Sequence, residues 1–199
     1  MTKPYAESCD QNRQAILEIL QLALPEQGRL LEIGSGTGQH AVFFSRYFPQ
    51  LTWQTSDLSS NHAGIQAWID EEEESGVLPP IELDVLQVAH WNTGIYDAVF
   101  SANAVHIMSW PAVEALFTGI GKILHAGGRL ILYGPFNYHG QYTSDSNAGF
   151  DLWLKQRDPE SGIRHFEELN QLARQQGMTL LEDYEMPANN RILIWQKQS

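Results

Sequence analysis

The stretch Leu30-Leu-Glu-Ile-Gly-Ser-Gly-Thr-Gly-Gln-His40 decides the fold. It begins inside a short apolar run over 29–33, passes through glycines at alternate positions, and continues into an apolar helical pattern that reaches Phe48. A strand, a tight loop and a helix are therefore predicted in this order. Glycines in such a loop let the backbone turn sharply and let a ligand lie against bare main chain, near the amides that open the helix.

Two common nucleotide-binding loops do not fit this stretch. The dinucleotide fingerprint Gly-x-Gly-x-x-Gly would need a glycine where the chain has Gln39, and no Gly-Lys-Ser/Thr follows to make a Walker loop. The remaining pattern, Glu-x-Gly-x-Gly-x-Gly, resembles the loop that holds the methionine part of S-adenosylmethionine (SAM) in class I methyltransferases. The alternative is a tight strand-to-helix turn that binds nothing.

Acidic residues follow the next two predicted strands. Asp57 ends a strand over 51–56, where a carboxylate can accept hydrogen bonds from both ribose hydroxyls or can cap the next helix. Asp84 lies in a strand over 81–85 and could accept from an adenine amino group, with Val85 or Leu86 packed on the ring. We expect these positions to meet at the carboxyl edge of the sheet, where open α/β folds bind ligands.

Helical and strand patterns alternate along the chain and predict an α/β fold with a mainly parallel, doubly wound sheet and helices on both faces. Helices are predicted over 12–24, 61–74, 111–125 and 166–176, and further strands over 96–101, 129–133, 179–184 and 191–196. Asp10 or Asn12 would cap the first helix. Residues 134–162 are expected to lack regular structure, and such long stretches are usually functional.

The composition restricts the class of partner. The chain has 24 Asp+Glu against 12 Lys+Arg, a formal net charge of −12, which argues against duplex nucleic acid and anionic membranes as partners. Cys9 is the only cysteine, so an internal disulfide is excluded and a reducing cytoplasm is the expected location. No apolar run approaches the roughly 18 residues that cross a bilayer. The histidines lack metal-ligand spacing, and no metal site is predicted.

The fourth predicted strand brings three more polar residues to the same edge: Ser101, Asn103 and His106. Asn103 offers both a donor and an acceptor, and His106 could take a proton near neutral pH. A histidine that only satisfies the core is an equal alternative for His106.

Several unusual strings between Tyr5 and Trp195 are similar to the methyltransferase-like protein 26 family, an uncharacterised family of class I methyltransferases with domain of unknown function 938. Besides the glycine loop these are Glu-Ser-Cys-Asp-Gln-Asn-Arg-Gln at 7–14, Tyr-Gly-Pro-Phe-Asn at 133–137, Thr-Ser-Asp-Ser-Asn at 143–147, Phe-Asp at 150–151, Arg-Asp-Pro at 157–159, Gly-Ile-Arg at 162–164 and Met-Pro-Ala-Asn-Asn-Arg at 186–191. The resemblance implies a Rossmann-like seven-stranded sheet with an antiparallel last strand, and SAM as cofactor, but no acceptor. His165 departs from the acidic residue of the family.

The motifs and the resemblance together define three groups of candidate residues. The cofactor would contact Arg13, Glu32, Gly34, Ser35, Gly36, Gly38, His40, Asp57, Leu58, Asp84, Val85, Ser101 and Asn103. The acceptor would contact Tyr5, Asn137, Tyr138, Ser146, Asn147, Arg157 and Arg164. His106 or Asp10 would act as the base. Arg13 would pair with the cofactor's carboxylate, and Tyr5, Phe136 or Tyr138 could face its cationic sulfur.

The predicted function is a SAM-dependent methyltransferase that acts on a small-molecule acceptor by in-line transfer. One domain over 1–199 is predicted, with 1–25 as an N-terminal helical cover and 134–165 as a substrate-site insertion. Two alternatives stay open: a sensor or interaction protein that binds SAM without turnover, and a nicotinamide oxidoreductase, which Gln39 and the lack of a Tyr-x-x-x-Lys pair disfavour.

Overall fold

The computed structural model describes residues 3–72 and 76–199. The strands are β1 (Gly28–Ile33), β2 (Leu51–Asp57), β3 (Val77–Glu82), β4 (Tyr96–Ala102), β5 (Leu124–Gly134), β6 (Phe136–Asn137), β7 (Arg164–His165), β8 (Met178–Met186) and β9 (Asn190–Lys197). The helices are α1 (Glu7–Ala23), α2 (Gln39–Ser45), α3 (Ser59–Ile69), α4 (Trp110–Ile123), α5 (Asp145–Arg157) and α6 (Phe166–Gln175). The last two positions of the helix predicted over 61–74, and residues 1 and 2 of the predicted cover, lie outside the described residues.

Seven strands form one sheet in the order β3-β2-β1-β4-β5-β9-β8, and β6 pairs with β7 separately. The first five strands of this order are parallel to one another, whereas β9 lies antiparallel between β5 and β8. The predicted α/β fold with an antiparallel last strand is confirmed.

Burial explains the central position of β1 and β4. Leu30, Leu31, Ala98, Val99 and Phe100 are all fully buried, as expected for central parallel strands that are covered on both faces. One core cluster packs the sheet against α4 and α6, and the other packs it against α1, α2 and α3. This arrangement leaves the carboxyl ends of the parallel strands together at one edge.

The structure corrects the predicted boundaries of α1 and β3, among others. Helix α1 begins at Glu7 rather than at residue 12, after the N-cap residue Ala6, and no side chain caps it. Asp10 and Asn12 therefore lie inside the helix. Strand β3 spans Val77–Glu82 rather than 81–85, and it contains Pro79 and Pro80. An edge strand tolerates proline because one side of its backbone has no ladder partner.

The prediction that 134–162 lacks regular structure was wrong, because the segment contains α5. The helix is capped by Ser144, whose side chain accepts a hydrogen bond from the main-chain N–H of Asn147 at 3.1 Å. Four of its first five residues are Asp, Ser, Asn and Gly149, which are weak helix formers. The sequence pattern therefore did not predict a helix here. Tertiary contacts stabilise this helix where intrinsic propensity does not.

No helix in the described ranges combines the length and the apolar character that a membrane crossing requires.

Candidate cofactor site

A cavity of about 790 Å³ opens at the carboxyl edge of the sheet, between the ends of the parallel strands and the N-terminal segment. Nine of the residues predicted to bind the cofactor line it: Gly34, Ser35, Gly36, His40, Asp57, Leu58, Asp84, Val85 and Asn103. The topology thus brings most of the predicted cofactor residues to one place. Their contacts with a cofactor stay predictions.

The glycine loop shows two different uses of glycine. Gly36 and Gly38 both have left-handed backbones, with φ of 60° and 92°. A side-chain carbon at Gly38 would lie 3.1 Å from Ile65 Cα, so packing against α3 requires glycine there. At Gly36 the same carbon would meet nothing within 4 Å. Gly36 borders the cavity, so it leaves open space beside bare main chain, as a ligand cradle requires.

Asp57 joins the end of β2 to the glycine loop. Its Oδ2 accepts the main-chain N–H of Gly36 at 2.7 Å, and its Oδ1 accepts from the Leu58 N–H at 2.7 Å and from Asn61 Nδ2 at 2.8 Å. The N-cap residue of α3 is Leu58, and no side chain caps that helix. Asp57 therefore lines the cavity and is not the N-cap residue of α3.

Asp84 lies two residues beyond β3, in a turn that it stabilises itself. Its Oδ1 accepts the main-chain N–H of Leu86 at 3.0 Å, and its own N–H donates to His90 Nδ1 at 3.1 Å. Val85 is buried at the cavity wall, whereas Leu86 is 54% exposed. Of the two residues predicted to pack on an adenine ring, Val85 is the one that lines the cavity.

Glu32 lies beneath the glycine loop and outside the cavity wall. Its Oε2 accepts from Ser35 Oγ and from Trp53 Nε1, both at 3.1 Å, and the residue is 2% exposed. Burial raises the pKa of Glu32 to about 7. Ser101 is also placed away from the cavity, because its Oγ donates to the Ile33 carbonyl at 2.8 Å within the sheet. Both side chains hold the strands that carry the loop.

Replacing Glu32 with Gln should change how stability depends on pH. The pKa of Glu32 is raised above its ordinary value of 4.5 to about 7, so the folded protein retains a proton that the unfolded chain has lost. Stability contributed by this proton declines as pH rises between these two values. Relative to wild type, we expect Glu32→Gln to gain up to about 3 kcal/mol in unfolding free energy between pH 5 and pH 8. Urea unfolding of both proteins at the two pH values measures this, and parallel pH profiles would contradict it.

The N-terminal segment forms the wall opposite the glycine loop, through Pro4, Ala6, Ser8 and Cys9. Gln39 holds it in place, since its Oε1 accepts the Ala6 N–H at 2.6 Å and its Nε2 donates to the Ala6 carbonyl at 3.3 Å. Trp68 Nε1 donates to the Pro4 carbonyl at 2.7 Å. In the sequence, Gln39 was informative only because it broke the dinucleotide fingerprint. In the structure it anchors the segment that covers the cavity.

Three polar residues predicted near the cofactor or acceptor bind one another instead of lining the cavity. Arg13 forms an ion pair with Asp10 at 2.7 Å and lies over the Phe43 ring, and the hydroxyl of Tyr5 donates to Asp10 at 2.6 Å. His40, which does line the cavity, binds Asn12 at 2.8 Å. Burial lowers the pKa of His40 to about 4, so its ring is neutral at pH 7.

His106 is nearly buried, at 7% exposure, beside the ring of Phe150. Burial, together with the nearby charge of Arg164, lowers the pKa of His106 to about 4. With this pKa the ring is neutral at pH 7 and a weak base, so it can form a hydrogen bond but takes up a proton only at lower pH. His106 lies behind the cavity wall, next to Asn103 rather than in the wall itself.

None of the predicted acceptor residues lines the cavity, and most of them connect loops. Arg164 donates to the carbonyls of Met108 and Glu160. Asn147 Nδ2 donates to Thr143 Oγ1 at 2.8 Å and to the Asn189 carbonyl at 3.0 Å. The others are placed as follows: Ser146 beside Ser144 and Asn189, Tyr138 on Asp183, Arg157 over Trp153, Asn137 buried beside His165, and Tyr5 on Asp10.

An apolar part of the cavity wall was not predicted from the sequence. Ile107, Met108 and Ala112, which follow β4, line the cavity together with Leu83. The sequence signal that could have indicated it is the run of apolar residues in the short segment between Asn103 and the start of α4. Among residues 3–72 and 76–199, no group of three or more His, Cys, Asp or Glu side chains is arranged to hold a metal ion.

Solved methyltransferases share this architecture. An O-methyltransferase family protein from Burkholderia thailandensis has a TM-score of 0.79 at 18% identity, covering 94% of this chain and 58% of that one. Human N-acetylserotonin methyltransferase in complex with SAM has a TM-score of 0.75 at 14% identity, covering 94% and 55%. An O-methyltransferase family 2 protein from Planctomyces limnophilus in complex with apigenin has a TM-score of 0.75 at 14% identity, covering 93% and 61%.

These likenesses establish the Rossmann-like methyltransferase fold, and the chain spans a little over half the length of the three structures. Residues 3–197 match the family described as "Protein of unknown function (DUF938)". The chain belongs to that family.

Proposed function

We propose that this protein is a SAM-dependent methyltransferase. The observation that carries the proposal is the order of groups around one cavity: bare main chain at Gly34–Gly36, then Asp57, then Asp84. These groups match the three parts of SAM, because a loop without side chains lets the methionine part lie against main chain, a β2 carboxylate suits ribose hydroxyls, and a second carboxylate suits an adenine amino group. The resemblance to the methyltransferase-like protein 26 family supports the same proposal.

The residues present fit the cofactor in a physical sense as well. Gly36 leaves the space that a side chain would fill, and Val85 offers an apolar surface for a ring. When bound, SAM supplies an electrophilic methyl group on a positively charged sulfur. The protein would then orient the acceptor in line with that group, and such positioning is worth up to roughly 7 to 11 kcal/mol in favourable systems.

The acceptor that we propose is a small molecule. The cavity has a volume of about 790 Å³, within the range of ordinary ligand pockets. One structural neighbour holds the small aromatic compound apigenin. In this proposal residues 1–199 act as one domain and 1–25 cover the cofactor. The substrate-site insertion over 134–165 stays a prediction, since none of its residues lines the cavity. Cytoplasmic location stays a prediction from the sequence.

Calorimetry tests the proposed function directly. S-adenosylhomocysteine (SAH), the demethylated product, is titrated into the protein, and NAD is titrated in a parallel experiment. We expect saturable binding of SAH and none of NAD, because Gln39 occupies the third-glycine position of the dinucleotide fingerprint and anchors the N-terminal segment instead. Binding of NAD without SAH would overturn the proposal.

A further inference from the structure

The first described part of the chain, residues 3–15, is attached to the protein without burying a residue of its own. None of these residues is buried, whereas Ile16, Leu17 and Leu20 of the same helix α1 are almost fully buried. Regions with few buried apolar contacts open more readily than the core beside them. Because the apolar anchor of α1 begins at Ile16, residues 3–15 would leave the core intact if they moved away from the cavity.

Polar contacts with α2 and α3 hold residues 3–15 in place. Gln39 binds both main-chain polar groups of Ala6, and Trp68 donates to the Pro4 carbonyl. Hydrogen bonds of this kind add little net stability, because water replaces the lost partner once the segment opens. The further contacts are Asn12 with His40, Arg13 with Phe43, and Lys3 with Glu71 and Trp68.

The closed position of residues 3–15 depends on a glycine in the middle of α3. A side-chain carbon at Gly64 would lie 2.6 Å from Pro4 Cγ and 3.2 Å from Pro4 Cδ. The proline ring is fixed to the backbone and cannot turn aside, so residues 3–15 would have to shift. The φ of Gly64 is not left-handed, and glycine weakens a helix interior, so α3 itself does not require it. Gly64 makes room for the closed segment.

The closed segment faces the cavity with Ala6, Ser8 and Cys9, opposite the glycine loop. A cofactor in the cavity would contact these residues only while the segment is closed. A ligand that binds one of two states more tightly shifts the equilibrium toward that state, and the coupling is reciprocal. A bound cofactor should therefore hold the segment closed, and the closed segment should slow the release of the cofactor.

We propose that residues 3–15 form a gate that opens to admit the cofactor and closes over it. The proposal rests on the proposed methyltransferase function, because SAM or SAH is the ligand that the gate would retain. In the free protein the gate opens at the start of the apolar anchor, at Ile16. With the cofactor bound, opening would break contacts with both the protein and the ligand, so it becomes rarer.

Amide hydrogen exchange followed by mass spectrometry tests the gate in the full chain. Without ligand, we expect residues 3–15 to exchange at least about tenfold faster than residues 16–23 of the same helix. Saturating SAH should slow exchange over 3–15 by about tenfold or more, within the usual range of coupling between two sites. The loop 139–143 is the internal control, because it also lacks buried residues and lies outside the cavity wall, and SAH should leave its exchange unchanged.

Two variants separate closure of the gate from direct contact with the ligand. Gly64→Ala displaces Pro4 and should at the same time stabilise α3, because alanine is the better helix former. Trp68→Phe removes the hydrogen bond to the Pro4 carbonyl at a residue outside the cavity wall. Gly149→Ala in α5 is the matched control, because a side-chain carbon there meets nothing within 4 Å.

Two rates report on the gate in these variants. Bound tritiated SAH, chased with unlabelled SAH, should leave each gate variant about fivefold faster than wild type, as expected for the loss of one hydrogen bond. Cys9, the only cysteine of the chain, lies in the gate, so its alkylation by iodoacetamide in ligand-free protein reports opening without any cofactor. We expect this alkylation to be about fivefold faster in both gate variants for the same reason. Gly149→Ala should match wild type in both rates.

The outcomes separate the gate from the proposed function. If SAH does not bind, the methyltransferase proposal and cofactor retention by the gate fail together. If SAH binds but exchange over 3–15 stays unchanged, or both folded variants release SAH and alkylate at the wild-type rate, only the gate is overturned. Equal exchange of residues 3–15 and 16–23 without ligand would also overturn it. Should Gly64→Ala not fold, Trp68→Phe and the wild-type exchange experiment decide the matter.

Discussion

Asp57→Ala is expected to weaken SAH binding by about 100-fold or more, since a hydrogen bond to a charged group contributes roughly 1.5 to 3 kcal/mol and ribose offers two. The substitution also removes the hydrogen bond that the Gly36 N–H donates to Asp57 Oδ2 at 2.7 Å, and this bond positions the glycine loop. Both effects act in the same direction. Calorimetric titration of SAH into wild type and variant measures the loss.

Two further variants separate charge from shape at this position. Asp57→Asn keeps one acceptor oxygen, and we expect an affinity between those of wild type and Asp57→Ala. Asp70→Ala removes a carboxylate at the C-cap of α3, where its Oδ1 accepts from Gln66 Nε2 at 2.6 Å, and should leave SAH affinity unchanged. If Asp57→Ala is folded by circular dichroism and binds SAH as wild type does, the ribose role of Asp57 is wrong.

Asp151→Ala is expected to lower the unfolding free energy by about 3 kcal/mol, because it removes three hydrogen bonds and leaves the buried Ile163 N–H without its acceptor. Asp151 is 1% exposed on α5. Its Oδ1 accepts the Ile163 N–H at 2.7 Å, and its Oδ2 accepts from the Tyr142 hydroxyl at 2.7 Å and from Lys155 Nζ at 2.6 Å. Urea unfolding at pH 7 measures the change.

Controls on the same helix test whether burial causes this effect. Asp145→Ala removes an exposed carboxylate from the first turn of α5 and should cost less than about 1 kcal/mol. Tyr142→Phe removes one of the three partners and should cost about 1 kcal/mol. If Asp145→Ala and Asp151→Ala lower the unfolding free energy equally, helix propensity rather than the buried carboxylate stabilises α5.

The cofactor side of the site was predictable because its signals are local. Gly36 and Asp57 each lie where a strand gives way to a loop or helix, and parallel strands bring such ends to one edge whatever the rest of the chain does. Even there, Glu32 was assigned to the cavity because sequence does not reveal on which side of a loop a side chain points. Its partners are Ser35 and Trp53, inside the protein.

The acceptor side was not predictable, because its contacts join residues far apart in the chain. Asn147 binds Asn189, and Arg164 binds the Met108 carbonyl, so residues that looked available for a ligand are committed to holding loops together. The same reason explains why α5 was missed, since the hydrogen bond from Ile163 to Asp151 is invisible to periodicity.

The attachment of the N-terminal segment to Gln39 and Trp68 has a practical consequence for protein engineering. An affinity tag fused just ahead of Lys3 would emerge beside the mouth of the cavity and compete with ligand entry. Because β9 runs antiparallel to β5, its end at Lys197 lies at the opposite edge of the sheet. Purification handles, fluorophores and surface-immobilisation chemistry therefore belong at the carboxyl terminus.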